Sequence, residues 1–447
     1  MSIELLTLKD WLLAPVYLVI LVWITKYWAN TYYADTPIKK YILPALGIKI
    51  LGCVASILYH QYVYKGGDAF MYFETGLTIN ALFWHEPLEV LDIIFSPASQ
   101  FTPKQWSLLG LNASSLPFLY ETNALMCKIG GILSLLTFQS YVCISLLTAY
   151  VSFLGGWKLF LVFKDVYPQL EKEVALCMLF IPSVSFWGGG GLQKETILVA
   201  SLGFFIYAFY AIFIKKQFNI SLFLALIMGF AFLAIVRTFT AMVLIPALLV
   251  WVILYDYKRL EKGYKSMGFI VVLGVIGFTT VYLISHNSTK YNFNHIMVSL
   301  FQYQEGNAYM SKVTNAQRYD LGVVEHSLVG IIKTIPLCII TALYRPSLLD
   351  VQNYRYLYIG LENLGLLLLS IVCVWHIIQR KIRVTLRVLC RPEIAFCLLF
   401  SLSILGIVGF TTINFGGLVR CRISALPFFT FALLAISRAT RQNAALV

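Results

Sequence analysis

The sequence predicts an all-α, polytopic transmembrane helical bundle of about 11 spans plus a re-entrant segment. Three observations predict it. The 447 residues are 59% hydrophobic and 12% charged, with a mean hydropathy of +0.78, whereas soluble domains carry about 25% charged residues. The apolar residues form continuous runs long enough to cross roughly 30 Å of hydrocarbon as helices, not the alternating segments of about 10 residues that build a membrane barrel. The polar residues gather in a few short clusters, at 66–76, 182–195, 236–240, 343–356 and 414–422.

Taken in order, spans are expected near 11–29, 42–63, 139–163, 174–190, 195–214, 219–236, 238–255, 267–285, 357–378, 394–412 and 419–436. Lys and Arg concentrate in cytoplasmic loops. Lys26, Lys39 and Lys40 join the first two runs, Lys215 and Lys216 follow the fifth, and Lys258, Arg259, Lys262 and Lys265 follow the seventh. Arg380, Lys381, Arg383, Arg387 and Arg391 precede 394–412, and Arg438 and Arg441 lie near the end. All fall on one side if the N-terminus is outside and 328–355 does not cross. That piece is apolar but short, with Pro336 inside it, so it is expected to dip in and return, or to form a tight hairpin.

The whole of 1–447 then reads as a single membrane domain with two long outer loops, 64–126 and 287–327. The first carries Asp68, Glu74, Glu86, Glu89, Asp92 and Glu121 against Lys65 and Lys104, with amphipathic stretches such as 77–95 suited to the interface. The second is polar and near neutral, as a flexible lid would be. The net charge of +13 does not point to nucleic acid, because the basic residues sit in short loops between apolar runs. Nine cysteines fall mostly inside apolar stretches without metal-ligand spacing, as buried thiols.

Four clusters carry candidate chemistry. In the first, Gly66 and Gly67 permit a tight turn that presents Asp68 where the second span ends; Asp68 and Tyr72, four apart, share a face if a helix starts there. Asp68 reads equally as a cap for that helix. In the second, Ser183, Ser185 and Trp187 precede four glycines and Gln193-Lys194-Glu195. A glycine turn opening a helix suits a phosphate, though it is also simply a tight turn with Lys194 reaching to lipid phosphates. In the third, Arg237 and Glu362 sit in or between apolar runs, where ionisable groups are costly and are functional suspects; snorkelling, or a pair with Arg345 or Arg355, is the structural alternative. The fourth comprises Tyr344-Arg345-Pro346 and Asn414 to Arg422, which present arginines in forks suited to bidentate phosphate binding; Arg420 and Arg422 read otherwise as anchors. His60, His85, His286, His295, His326 and His376 are scattered, and no HExxH or GxSxG motif occurs.

These residues resemble the polytopic glycosyltransferases of the GT-C type. The long first loop opening with Gly-Asp-x-x-x-Tyr carries that likeness. Pro182-Ser183, Phe186-Trp187, Gly191 to Glu195, Arg237, Tyr344-Arg345-Pro346 with Glu362, and Gly416-Gly417 with Arg420 look like bacterial polysaccharide polymerases of the Wzy and EpsG type. The resemblance implies transfer of a sugar or oligosaccharide from a polyprenyl-phosphate-linked donor to a glycan or lipid acceptor. The setting would be the outer face of a bacterial inner membrane, in cell-envelope polysaccharide assembly. Asp68 would be the catalytic base or would orient the acceptor. Lys194, Arg237, Arg345 and Arg420 would hold the donor phosphate, with Tyr72, Glu195, Glu362, Asn414 and Arg422 completing the substrate site. The chain departs from the pattern in having one clear Asp in the first loop and no large soluble C-terminal domain. A divalent metal is therefore left open, and no cofactor is fixed. The rivals are a flippase of lipid-linked sugars, which would show repeats and broken spans, and a membrane acyltransferase, which would need a buried His with an acidic partner.

Overall fold

A computed structural model of the chain describes residues 6–257, 296–322, 324–350, 356–379 and 382–441. Every regular element among them is helical; Arg318 and Asn414 form an isolated antiparallel bridge. Among the described residues seven helices are long and apolar enough to cross a membrane, or eight if the bent pair Phe415–Arg422 and Leu426–Thr440 counts as one span. The protein is thus a multi-pass helical membrane protein. The described residues form two compact units.

The first unit comprises Met1–Val162, Val184–Ala208 and Asn219–Thr238. Its first helices are α1 (Leu8–Tyr32) and α2 (Lys39–Leu58), the latter continuing into a π-helical turn, Tyr59–Tyr64. Asp10 is buried in α1, where its carboxylate accepts from Ser140 Oγ and from the Val142 N–H, which opens α8 (Tyr141–Val166). A helix N-terminus lacks internal acceptors for its first N–H groups, so this carboxylate supplies one where lipid cannot.

The segment 64–126, expected as a long outer loop with amphipathic stretches, is largely helical. It folds into α3 (Asp68–Phe83), α4 (Pro87–Phe95), α5 (Pro103–Leu109) and α6 (Leu116–Leu119), and runs on into α7 (Glu121–Leu136). Glycines let α3 and α7 touch: a Cβ on Gly76 would lie 2.8 Å from the Gly130 carbonyl carbon, and one on Gly131 would lie 2.8 Å from Ile79 Cγ2. The acidic residues hold this layer together. Lys104 Nζ reaches Glu86 (3.2 Å) and Glu89 (2.8 Å), while Gln105 Nε2 donates to Asp92 (2.5 Å).

Within the same unit α8 meets α11 (Lys194–Phe209), and α11 meets α12 (Ile220–Val236). A Cβ on Gly203 would stand 2.0 Å from the Gly155 carbonyl oxygen, and one on Gly229 3.1 Å from the Phe205 N. Small residues drive membrane helix packing this way, since lipid tails offer no hydrophobic gain for burying large ones.

The second unit comprises Phe163–Ser183, Phe209–Phe218 and Phe239–Val447. It holds α9 (Glu171–Leu179) and α13 (Thr238–Tyr257, from Phe239), then α14 (Ile296–Val313), α15 (Leu328–Tyr344) and α16 (Leu357–Ile378). α17 (Ile382–Leu389), α18 (Pro392–Thr411), α19 (Phe415–Arg422) and α20 (Leu426–Arg441) follow. Its core is aromatic, with Phe163, Trp251, Phe396, Phe400, Phe428 and Phe431 in ring contact at centroid separations of 4.8–6.1 Å. Of the basic residues expected on one side, Lys215 pairs with Asp165 (2.6 Å) and Arg438 with Glu173 (2.7 Å), and Tyr167 donates to Glu393, which opens α18 just after Arg391.

Several expected spans are corrected. The run 174–190 is broken at 180–181 into α9 and α10 (Pro182–Gly188). The run 419–436 is bent by 65° between α19 and α20, and 219–236 forms the 17-residue α12. The piece 328–344 is the single 17-residue helix α15, with Pro336 inside it rather than at a turn; at 1.5 Å per residue it reaches about 25 Å, short of the full hydrocarbon depth. The second expected loop contains α14. Its following strap is tied down by the Tyr319 N–H to Ile413 O (3.0 Å), Tyr319 Oη to Gly409 O (2.8 Å) and the Phe415 N–H to Gln317 O (3.1 Å), so it is not a free lid. The expected span 267–285 and the start of the second loop, 287–295, lie outside the described residues, as do Arg355, Arg380 and Lys381.

Gly203→Ala forces the Gly155 backbone away and is expected to cost about 1–3 kcal/mol, in the range of overpacked cores. Eight of the nine cysteines are buried free thiols, so a thiol-reactive dye in detergent should report an earlier thermal transition for this variant. A transition unchanged from wild type counts against the contact.

Candidate functional site

In the first unit, the π-helical end of α2 hands the chain to α3. Lys65 closes it in the left-handed region (φ 54°), and Gly66 and Gly67 follow with φ of 155° and 110°. For an L side chain the Gly67 value is strained. The turn sets Asp68 as the first residue of α3, exposed, where the helix macrodipole favours a carboxylate. One turn on, Tyr72 is buried, and its Oη donates to Asn123 Oδ1 (3.2 Å). Asp68 and Tyr72 thus share a helix end but differ in exposure.

The four glycines 188–191 form a turn buried in this unit. Ser152 Oγ donates to Gly188 O, and Ser56 Oγ donates to Gly190 O (3.3 Å). Gln193 Nε2 donates to Ser56 Oγ (3.3 Å) and lies 3.4 Å from His60 Nε2, whose Nδ1 bonds Ser56 O (2.8 Å). With Nδ1 carrying the proton toward a carbonyl, Nε2 is the acceptor for Gln193. Lys49, buried in α2, donates from Nζ to Val184 O (3.1 Å), and a Cβ on Gly189 would lie 3.3 Å from its Cδ. Sequence reasoning missed Lys49 and made little of His60. The signal for Lys49 was there: a lysine in the middle of an apolar run.

The turn delivers Lys194 to the start of α11, half-buried, with its ammonium 5.9 Å from the centroid of the Tyr72 ring. This is cation–π distance. Glu195 is fully buried and accepts from Arg237 Nη2 at 2.7 Å, at the point where α12 ends; the Arg237 side chain is 20% exposed. Arg237 is therefore the counter-ion of Glu195, and the Lys194 ammonium lies beside that pair in sequence.

In the second unit, Arg422 is fully buried. Its Nη1 donates to the carbonyls of Ala342 (2.7 Å) and Leu343 (3.1 Å), and its Nη2 donates to Asn363 Oδ1 (2.5 Å). The guanidinium caps the C-terminal end of α15, whose last carbonyls have no partner within the helix. Glu362 lies 3.9 Å from it and accepts from the Ser183 N–H (2.7 Å) and Oγ (2.6 Å). Arg422 and Glu362 thus hold helix ends instead of a phosphate, and the partner expected for Glu362 is not Arg345. Arg345 pairs in a two-point fork with Asp350 (3.1 and 2.6 Å) and stacks over Phe415 (5.4 Å). Burial alone would raise the Asp350 carboxyl; the bonds from Arg345 and Ser347 outweigh it and hold it down to about 2. Its stabilising contribution is full above the ordinary value of 3.8 and is lost as pH falls toward about 2. Asn414 caps α19, accepting from the Gly417 N–H (2.6 Å), while Arg420 lies half-buried in the same helix.

The sequence-derived site therefore divides. Tyr72 and Lys194 meet, as do Glu195 and Arg237, in the first unit, and Glu362 and Arg422 meet in the second. Among the described residues no group of three or more His, Cys, Asp or Glu side chains could hold a metal, so the divalent metal left open above finds no ligand set there. Comparison with family models, with curated proteins and with solved structures finds no match.

Removing one partner of a buried ion pair strands the other charge, at a cost of roughly 3–5 kcal/mol. Arg237→Ala should lower the thermal transition accordingly, and adding Glu195→Gln to it should restore much of the loss. A double variant no more stable than Arg237→Ala would show that the pair is not what holds these helix ends.

Proposed function

We propose that the protein transfers a sugar or oligosaccharide from a polyprenyl-phosphate-linked donor to a glycan or lipid acceptor, at the outer face of a bacterial inner membrane. The observation that carries the reading is the contact of Lys194 with Tyr72. It brings the helix end that bears Asp68 next to the helix start that bears the cation, and both lie at ends of apolar segments. Displacement at an anomeric carbon needs that pairing. The Asp68 carboxylate takes the proton of the acceptor hydroxyl, and the acceptor oxygen forms the new bond to the anomeric carbon. The bond from that carbon to the phosphate oxygen breaks, and the polyprenyl phosphate leaves with the electron pair. Lys194 stabilises the charge growing on that oxygen; one such group is worth about 10²–10³ in rate.

One observation favours a second reading, a flippase of lipid-linked sugars. The break between α9 and α10 and the 65° bend between α19 and α20 are discontinuous helices of the kind transporters use. Purified protein in liposomes, given polyprenyl-linked donors and acceptors, separates the two: a new glycosidic bond seen by mass spectrometry supports transfer, and movement of the lipid across the bilayer without a new bond supports the flippase. Within the transfer reading, Asp68→Asn should abolish product while leaving donor binding intact. Normal turnover in that variant removes Asp68 as the base.

A further inference from the structure

His60 stands between two turns of the first unit. Its carbonyl accepts from the N–H groups of Lys65 and Gly66 (3.3 Å for Gly66), which closes the π-helical end of α2. One edge of its ring lies against Gly67, where a Cβ would be 3.3 Å from Cδ2. Gly67 is exposed, so a residue without a side chain is what separates the buried ring from the surface. The other side of the ring meets Ser56, Gln193 and the Trp187 ring (centroids 6.3 Å apart).

The hydrogen bonds here have two self-consistent arrangements that differ by one proton. Nδ1 is 2.8 Å from the Ser56 carbonyl and must carry hydrogen. In a neutral ring Nε2 is then bare and accepts from Gln193 Nε2 (3.4 Å). That arrangement leaves Gln193 Oε1 buried with no partner among the described residues. A protonated ring carries N–H at both nitrogens and faces an amide nitrogen that cannot accept. A half-turn of the Gln193 amide brings Oε1 to the Nε2–H. It also sends the NH₂ toward the Phe186 carbonyl, since a Cβ on Gly190 would lie 2.8 Å from Phe186 O and 3.1 Å from Gln193 Oε1. The orphaned oxygen is then answered.

Ser56 transmits the change. Its hydroxyl has one hydrogen, which goes to Gly190 O (3.3 Å) while Gln193 Nε2 donates to its oxygen (3.3 Å). After the half-turn Gln193 Oε1 faces that oxygen, and the two bond only if the hydroxyl hydrogen leaves Gly190.

We propose that His60 positions the glycine turn through its proton. Neutral, it keeps the Ser56 hydroxyl on Gly190 and the turn tied to α2; protonated, it reverses Gln193 and unties Gly190. Histidine suits this task because it ordinarily changes charge between about pH 5 and 8. The other titratable groups around it are Tyr59 and Tyr64 on its own segment, Lys49 and Cys53 earlier on α2, Lys65 and Asp68 at the next turn, and Lys194 and Glu195 just past Gln193. α10 contributes none. The inference stands apart from the sugar-transfer reading and needs no substrate.

The test uses the full chain in phosphatidylcholine vesicles with isotope-labelled side-chain nitrogens in histidine and glutamine, read by solid-state NMR from about pH 8 to about pH 5. The His60 and Gln193 signals are identified by their loss in His60→Gln and Gln193→Met. At the upper end His60 should show a protonated Nδ1 and a bare Nε2, and at the lower end two protonated nitrogens. The Gln193 amide signal should move with the same midpoint. Hydrogen exchange of the peptide holding 188–193, corrected for the intrinsic effect of pH, should be about tenfold faster below that midpoint than above it. Gln193→Glu, whose carboxylate only accepts, should keep His60 doubly protonated throughout. A bare Nδ1 at the upper end, a His60 that holds one charge state across the range, a Gln193 signal that stays still while His60 titrates, or exchange unchanged across the midpoint overturns the proposal. A folded Gln193→Glu protein that titrates as wild type does so too; if that variant does not fold, the wild-type measurements decide.

Discussion

Hydrocarbon offers no hydrogen-bond partner, and this constraint organises the first unit around one buried glycine turn. A turn inside an apolar bundle exposes carbonyls and N–H groups that must be satisfied by protein. Ser152 and Ser56 serve the carbonyls of Gly188 and Gly190, and Gln193 ties the turn to Ser56 and His60. Glycine is required for space as well as conformation: a Cβ on Gly191 would lie 2.5 Å from Ser145 Oγ, and one on Gly190 2.8 Å from Ser56 Oγ. These contacts place the residues that follow the turn. Lys194 is thereby presented at a helix start with its ammonium over Tyr72.

The same constraint explains why many of the charged residues hold the fold. Glu195 and Arg237 neutralise each other where α11 begins and α12 ends. Arg422 satisfies the last carbonyls of α15, and Glu362 beside it takes two hydrogen bonds from Ser183. A guanidinium has five donors in a planar fork, so it can close a helix end and meet an acid at once. Charge in an apolar sequence marks a place where something polar must be answered, and a helix terminus is as demanding as a ligand.

Composition and run length made the helical membrane class legible, and most long runs correspond to helices within a few residues: 42–63 appears as Lys39–Tyr64, 357–378 as Leu357–Ile378. What was not legible came from tertiary packing. The segment 64–126 looked like a loop because Glu and Lys dilute its hydropathy, yet Gly76, Gly130 and Gly131 let α3 and α7 pack closely and its acids pair locally. The run 174–190 looked like a span, but Pro182 interrupts it. For the site, spacing put Asp68 and Tyr72 one turn apart on a helix, and the helix is there. Spacing could not tell which arginines are consumed internally, since Ala342, Asn363 and Asp350 are distant from Arg422 or unremarkable beside Arg345 in the chain. Lys49 was visible and passed over.

The central claim is that Lys194, presented by the glycine turn beside Tyr72, anchors the phosphate of a polyprenyl lipid. A ligand bound only by the folded state raises stability by about 2.7 kcal/mol at a hundred times its dissociation constant, so a thermal-shift titration with a long-chain polyprenyl diphosphate reads the contact directly. The account predicts a dose-dependent rise for the wild type and none for a folded Lys194→Glu variant over the same concentrations. Equal shifts in the two proteins, or no shift in either, would contradict it.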